Sequence, residues 1–469
     1  MIKFNVIEIT KNSDYKKLLD VVSSTHINKD VVNDCKKFIG TKADTILIEY
    51  PYYDNEYLST FYSHYSQKFK KFPKECYRIH FEKGDEYLGC TVLRPTPEKT
   101  KFGKTFLNPK VVIKGEAYLM LGKINLHIYG TPQEIEVFPW KRQETDISCC
   151  AHTAAWTILK YYGNKYHNYL DTTIGSVVEK VHNDWGRKTP SLGLTPNQVS
   201  DVLKEYGFSP IIIEGGQVER QDELLAYIES GIPMVGFINL SPKNHAVSVI
   251  GHGEIDYKLL DDPETISAIV DNKTGVILHS RLIKSLYVMD DRIFPYTKVP
   301  KSIASANYGV EYGFGQMDFA VIPLYNRMQL SYREVCNRMQ TWIKAKVINI
   351  GDTPVCRIYI TSSNSLKRKT SESDDMDELL KGIILSLSLP KFVWCIDFAS
   401  PEQYKEGKTS ARILVDTTSA TSEKEPWILR HDSGKIQYKD NDEDKGYVVK
   451  RKIKPYSMYI NNLKYVKGE

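Results

Sequence analysis

Two adjacent thiols stand in KRQETDISCCAHTAAWTILKYYG, residues 141–163, just ahead of a run with helical periodicity. Ala154, Ala155, Ile158, Leu159 and Tyr162 form one apolar stripe, Ser148 is of N-cap type, and Gly163 is of the type that ends helices. Cys149 or Cys150 is therefore expected in the first helical turn, where unpaired N–H groups and the positive end of the helix dipole favour a thiolate. The thiolate is the nucleophilic form of cysteine, and such a position can bring a thiol well below its usual value of about 8.5. A nucleophile of this kind needs a base, a group to orient the base, and donors for a developing oxyanion. His245 opens the alternating apolar segment HAVSVIG directly after a polar turn. Asp290 and Asp291 follow SLYVM, where an apolar strand stops. Gln143, six residues ahead of Cys149, offers a side-chain amide as oxyanion donor.

The elements that must position these groups fall into three zones: 1–137, 138–328 and 329–469. The first holds a helix in which Tyr57, Phe61 and Tyr65 share a face, then strands CYRIHFE and YLGCTVLRP joined by a hairpin-like turn. PKVVIKGEAYLML and INLHIYG are expected as further strands. The middle zone is expected to run from the cysteine helix through helices PNQVSDVLKEYG and RQDELLAYIESG. Its expected strands are SPIIIEG, IPMVGFINL, HAVSVIGHG, LIKSLYVMDD and MDFAVIPLY. The third zone opens with the helix QLSYREVCNRMQTWIKAKV. Strands follow, with SNSLKRKTSESDDMDE expected as a mobile loop and Arg430, His431 and Asp432 at a solvated turn.

Gln-x5-Cys, then His-Ala-Val on a strand, then a strand ending in Asp, resembles the papain-like cysteine peptidases. It is most similar to their compact bacterial branch, the bacteriocin-processing-peptidase-like proteins, and covers only the middle zone. The resemblance implies an α+β fold with a papain-like core: a helix bearing the cysteine packed on an antiparallel sheet bearing His and Asp, with α+β domains on both sides. It implies Cys149 as nucleophile, His245 as general base and later acid, and Asp290 as the group that fixes the imidazole tautomer. The Gln143 amide and the Cys149 backbone N–H would form the oxyanion hole. This sequence departs from the family pattern in two places. Where the family has Gly or Trp after the nucleophile, this chain has Cys150, so the choice between the thiols rests on the Gln spacing, which selects Cys149. His245 and Asp290 are 45 residues apart, a long gap for the family. Asp262, 17 residues on and followed by proline, is a rival, and Asp291 adjoins Asp290. SLYVM is the better strand to lie beside HAVSVIG, which favours Asp290 and makes 254–284 an insertion near the cleft.

Other readings of these residues are structural. His152 and His252 fit ordinary core histidines, and Trp156 and Trp185 fit packing or cleft-lining roles. Cys149, Cys150 and His152 are too crowded for tetrahedral zinc, so neither metal nor cofactor is expected. The loop WGRKTPSLGLTPNQ, with its two glycines, is a candidate cleft rim.

Composition bounds the remaining classes. Apolar content of 41% and charged content of 26% suit a soluble globular protein, and 469 residues exceed one ordinary core. Net charge of +5 is too weak for a protein held to nucleic acid by phosphate contacts, so no such partner is expected. The eight cysteines, at 35, 76, 90, 149, 150, 336, 356 and 395, contain no CxxC and match no disulfide framework, which favours a reduced, cytoplasmic setting. MIKFNVIEITKNSD meets polar residues before any apolar h-region develops, and IPMVGFINL is too short to span a bilayer; neither a signal peptide nor membrane attachment is expected. The expected function is a cytosolic thiol hydrolase, a peptidase forming a thioester with a protein or peptide substrate and gated by a flanking domain or a regulatory protein. Acyl transfer or deamidation would use the same groups. A non-catalytic binding scaffold would have no need to keep all of them.

Overall fold

The cysteine helix spans Cys150–Lys165. In the computed structural model, which describes residues 3–96, 101–128, 130–144, 147–182, 191, 193–215, 218–240, 243–301, 310–439, 446–460 and 462–468, every residue from Ala151 to Tyr162 is buried. An amphipathic stripe needs cover on one side only, so burial all round places this helix inside the molecule. One side packs on the strands Met234–Leu240 and Lys243–Gly253; helices Ile174–Glu179 and Pro196–Glu205 and the strand Gly122–Ile128 cover the rest. The Ser248 hydroxyl donates to the Ala154 carbonyl at 3.0 Å, tying strand to helix where apolar contact alone would allow sliding.

The sheet beneath runs in the order Thr297–Pro300, Ser285–Met289, Lys243–Gly253, Met234–Leu240, Met317–Ile322, Ile211–Glu214, antiparallel throughout. Its middle strand, Met234–Leu240, is buried over its first five residues, which explains its unbroken apolar run. The far end of Lys243–Gly253 also pairs with Gly115–Leu119, which in turn pairs with Lys464–Gly468. The sheet therefore takes one strand from the first zone and one from the third, crossing both boundaries drawn from sequence. Gly251 permits that crossing, because a β-carbon there would sit 2.1 Å from the Tyr118 carbonyl oxygen.

Two further sheets flank this one. Lys3–Glu8, Thr45–Tyr52, Cys76–Lys83, Glu86–Leu93 and Phe102–Leu107 form an antiparallel meander in chain order. The C-terminal sheet is built around Val355–Ser362, Phe392–Ala399, Ala411–Asp416 and Trp427–His431. Its edge is Ile277–Leu278, parallel to Val355–Ser362, so the segment expected as a cleft insertion reaches into the C-terminal sheet. One apolar cluster contains Phe102, Trp140, Trp156, Phe294, Trp342 and Trp394, so all three zones share a core.

Several local expectations change. SNSLKRKTSESDDMDE begins with a helix, Ser363–Ser371, because Ser362 caps it by accepting from the Ser365 N–H. PKVVI opens with a helical turn, Pro109–Val112, which Asn108 caps with proline in the first turn. His431 and Asp432 are buried rather than solvated, and the His431 ring meets the Tyr456 hydroxyl at 2.8 Å. Among the described residues no helix is long and apolar enough to cross a membrane.

Candidate active site

Strand register brings histidine and aspartate together. Ser248 lies opposite Met289 in the antiparallel pair, so His245, three residues before Ser248, and Asp290, one after Met289, project at the same end. His245 Nε2 is 2.9 Å from Asp290 Oδ1. The Tyr312 hydroxyl donates to Asp290 Oδ2 at 2.8 Å, the Arg292 backbone N–H to Oδ1 at 2.9 Å, and the Arg292 guanidinium lies 3.4 Å from Oδ2. The Asp290 carbonyl accepts from the Trp140 indole at 2.8 Å. Burial alone would raise the Asp290 pKa; the His245 hydrogen bond and charge, with Arg292, outweigh it and hold the carboxyl well below the usual range. For His245, burial opposes the charged ring, but hydrogen bonds with Asp290 and Cys150 and the charges of Asp290 and Asp291 raise it to about 10. With Nε2 given to Asp290, Nδ1 is the nitrogen left for a thiol.

The two cysteines differ in what they touch. Cys149 is the N-cap, in extended backbone. Its thiol donates to the Ser191 carbonyl at 3.3 Å, and its backbone N–H donates to His152 Nδ1 at 3.4 Å. Burial pushes the Cys149 thiol up, and it brings His152 down to about 4, leaving that ring neutral and able to accept. Cys150, the first helical residue, is the thiol close enough to the His245 ring to contribute to raising it. The sequence expectation placed Cys149 in that position and used its N–H as an oxyanion donor; in the structure that thiol and that N–H are both occupied elsewhere. The physical reason is a shift of one residue in the helix start. Ser148 was the expected cap, Cys149 is the actual one, and one residue turns a side chain by about 100° around a helix.

Gln143 is half-buried in a braced segment. Beside it the Glu144 carboxylate is paired with Arg94 and Lys141, all three buried, and the Ser148 N–H returns to the Glu144 carbonyl at 2.8 Å. Asp291 is buried with both carboxylate oxygens lacking a hydrogen-bond partner among the described residues. One of them lies 3.8 Å from His245 Nε2, and burial raises this acid to about 7. Asp262 stands apart as the N-cap of Pro263–Ile269, accepting from the Thr265 N–H at 3.1 Å. Half of the candidate rim, 185–190 and 192 with Trp185, lies outside the described residues. Sequence reasoning missed Tyr312, Arg292 and Trp140. Arg292 is legible only as a neighbour of Asp290, and nothing marks Tyr312 among 31 tyrosines.

Among the described residues, two groups of acids and histidines bring ligand atoms within 4.8 Å of one another: His245 with Asp290 and Asp291, and Glu229 with His252 and His279. In the first, the hydrogen bond to Asp290 already engages His245 Nε2.

Residues 135–274 match the model of the Peptidase_C39 like family. The match is consistent with a papain-like cysteine peptidase in the middle of the chain. The matched stretch contains Gln143, both thiols and His245, and it ends before Asp290. The long segment between His245 and Asp290 therefore puts Asp290 beyond the part of the chain that the family model describes. No curated protein matches the chain.

Proposed function

We propose that this protein is a cysteine-nucleophile hydrolase, a peptidase of the papain-like kind, with Cys150 rather than Cys149 as the attacking group. The reading is supported by one arrangement: His245 is held 2.9 Å from Asp290, and the thiol that acts on its ring is Cys150, at the first position of a buried helix. Transfer of the Cys150 proton to His245 Nδ1 gives a thiolate and an imidazolium, and Asp290 stabilises the positive ring and fixes its tautomer. The thiolate attacks the acyl carbon; the leaving amine takes the proton from His245; water activated by the same ring then hydrolyses the thioester. The Cys150 backbone N–H has no acceptor within the helix because it is in the first turn, and in this reading it would serve the oxyanion together with the Gln143 amide. Each such donor contributes about 2.7–4 kcal/mol to lowering the barrier. Residues 1–137 and 329–469 act as accessory units around the papain-like core, selecting a protein or peptide substrate in the cytoplasm.

The test is modification of the full-length chain by an electrophilic thiol probe, with the labelled peptide mapped by mass spectrometry. Cys150 is expected to react first, and His245→Ala is expected to slow it on the order of 100-fold, the scale of a lost general base. Preferential labelling of Cys149, or a Cys150 rate indifferent to His245, would refute this assignment; an indifferent rate at both thiols points to a scaffold.

A further inference from the structure

A second acid–histidine cluster lies seven residues further along the strand that carries His245. Glu229 ends the helix Val218–Glu229, His252 is near the end of Lys243–Gly253, and His279 opens the turn His279–Leu282. All three are at least 95% buried, with exposures of 3%, 1% and 5%. Glu229 Oε1 is 2.7 Å from His252 Nε2 and 3.1 Å from His279 Nε2. Neither Glu229 Oε1 nor His279 Nε2 has an aligned hydrogen-bond partner among the described residues.

The surrounding bonds leave the converging atoms with little choice. His252 Nδ1 lies 2.7 Å from the Gly253 carbonyl, which can only accept, so Nδ1 carries the proton. His252 Nε2 then faces the Glu229 carboxylate oxygen at 2.7 Å. The other oxygen of Glu229 is taken by Arg357, whose Nε and Nη2 are each 2.7 Å away. His279 Nδ1 is bonded to the Tyr404 hydroxyl. Two imidazoles, each with its outer nitrogen anchored, and one oriented carboxylate are the donor set and outer-shell pattern of a zinc centre.

We propose that Glu229, His252 and His279 form a binding site for one divalent first-row cation, zinc being the best fit, with a structural role. Bonds of about 2.0–2.1 Å place tetrahedral ligand atoms roughly 3.4 Å apart, so the oxygen and the two nitrogens must spread by several tenths of an ångström to admit the ion. A cavity of about 20 Å³ lined by Glu229, His279, Ser280 and Asp222 has room for one water as fourth ligand. Two histidines and a carboxylate can also hold reactive iron, but that chemistry needs open positions for substrate, and these side chains are sealed. The guanidinium of Arg357 repels a dication through the shared carboxylate, which sets an affinity below that of a site with uncharged neighbours. Arg357 and Tyr404 belong to the C-terminal unit, so the ion would join that unit to the central sheet.

The experiment uses the full-length His245→Ala chain, which removes the imidazole of the other cluster. After chelator treatment and dialysis, a few-fold molar excess of Zn²⁺ is added, unbound metal is removed, and retained zinc is counted per chain. One equivalent is expected, with a zinc-edge absorption spectrum of nitrogen and oxygen neighbours and a rise in the thermal midpoint that His279→Gln loses. No retained zinc would mean a purely ionic Glu229–Arg357–histidine network and would overturn the proposal. Sulfur neighbours in the spectrum would equally overturn it, placing the metal on the cysteines, and these two readouts decide the matter even where His279→Gln fails to fold.

Discussion

One strand, Lys243–Gly253, serves two clusters built from the same side-chain types. At its start, the His245 ring has an assigned partner on each side, Asp290 on Nε2 and Cys150 beyond, and the thiol is only half-buried. Near its end, His252 and His279 converge on a single carboxylate oxygen in a sealed interior. Seven residues of strand separate His245 from His252, roughly 23 Å. The contrast teaches that an acid next to an imidazole does not define a function. What distinguishes the two places is whether the second ring nitrogen has a nucleophile to serve and whether a substrate can arrive.

Substitutions can sharpen that contrast or break it. The largest effect is expected at the first cluster: Cys150→Ala abolishes probe labelling at the site and costs at least ~10⁴-fold in turnover, whereas Cys149→Ala leaves the labelling of Cys150 in place. Equal losses in both variants would erase the distinction between the thiols. At the second cluster the large effect should fall on stability. Glu229→Gln leaves Arg357 buried without its partner and is expected to cost about 3–5 kcal/mol in denaturant unfolding, with probe reactivity unchanged in the folded fraction. Reactivity that falls with stability would show the clusters to be coupled.

Asp290→Asn is expected to lower turnover by about 10²–10³-fold, since an amide can hold the ring but cannot stabilise its charge. It should also alter the alkaline limb of stability. His245 is raised to about 10, so its contribution is complete below its unfolded value of about 6.5 and is lost as pH rises through about 10. That dependence should flatten in the Asp290→Asn variant when unfolding is followed from pH 6 to 10. Asp291, raised to about 7 by burial, has the same sign with another window: the protonated acid is tolerated at low pH, and the cost of ionising it grows from about 4 to about 7. Asp291→Asn should therefore stabilise the protein by ~1–2 kcal/mol at pH 8 and by nothing near pH 4, measured by denaturant midpoints. The smallest effect is expected of Tyr312→Phe, which removes one hydrogen bond to Asp290 worth about 1.5 kcal/mol and should shift the pH profile of labelling rather than abolish it.

Much of the site was legible because its parts sit at element ends. Polar residues flanking apolar runs mark where strands stop, which is how His245 and Asp290 stood out, and Asp262 lost to Asp290 on strand quality alone. Where the helix starts was not legible: Ser148 and Cys149 are one residue apart, both can begin a helix, and the difference turns each sulfur by about 100° around the axis. Tyr312 and Trp140 reach Asp290 across 22 and 150 residues of chain, distances over which no local pattern operates. The same limit hid the second cluster, where His252 read as an ordinary core histidine because Glu229 and His279 lie in other elements.

The amino-acid order by itself determined the helix after the cysteines, most of the strands and the chemistry available at their ends, because periodicity and capping act over a few residues. Only the tertiary structure decided that Cys149 caps the helix and Cys150 opens it, that strands from both flanking zones complete the central sheet, and that two histidines share one carboxylate. Those outcomes depend on register and on burial between distant segments, where a shift of one residue or a few ångströms exchanges one partner for another.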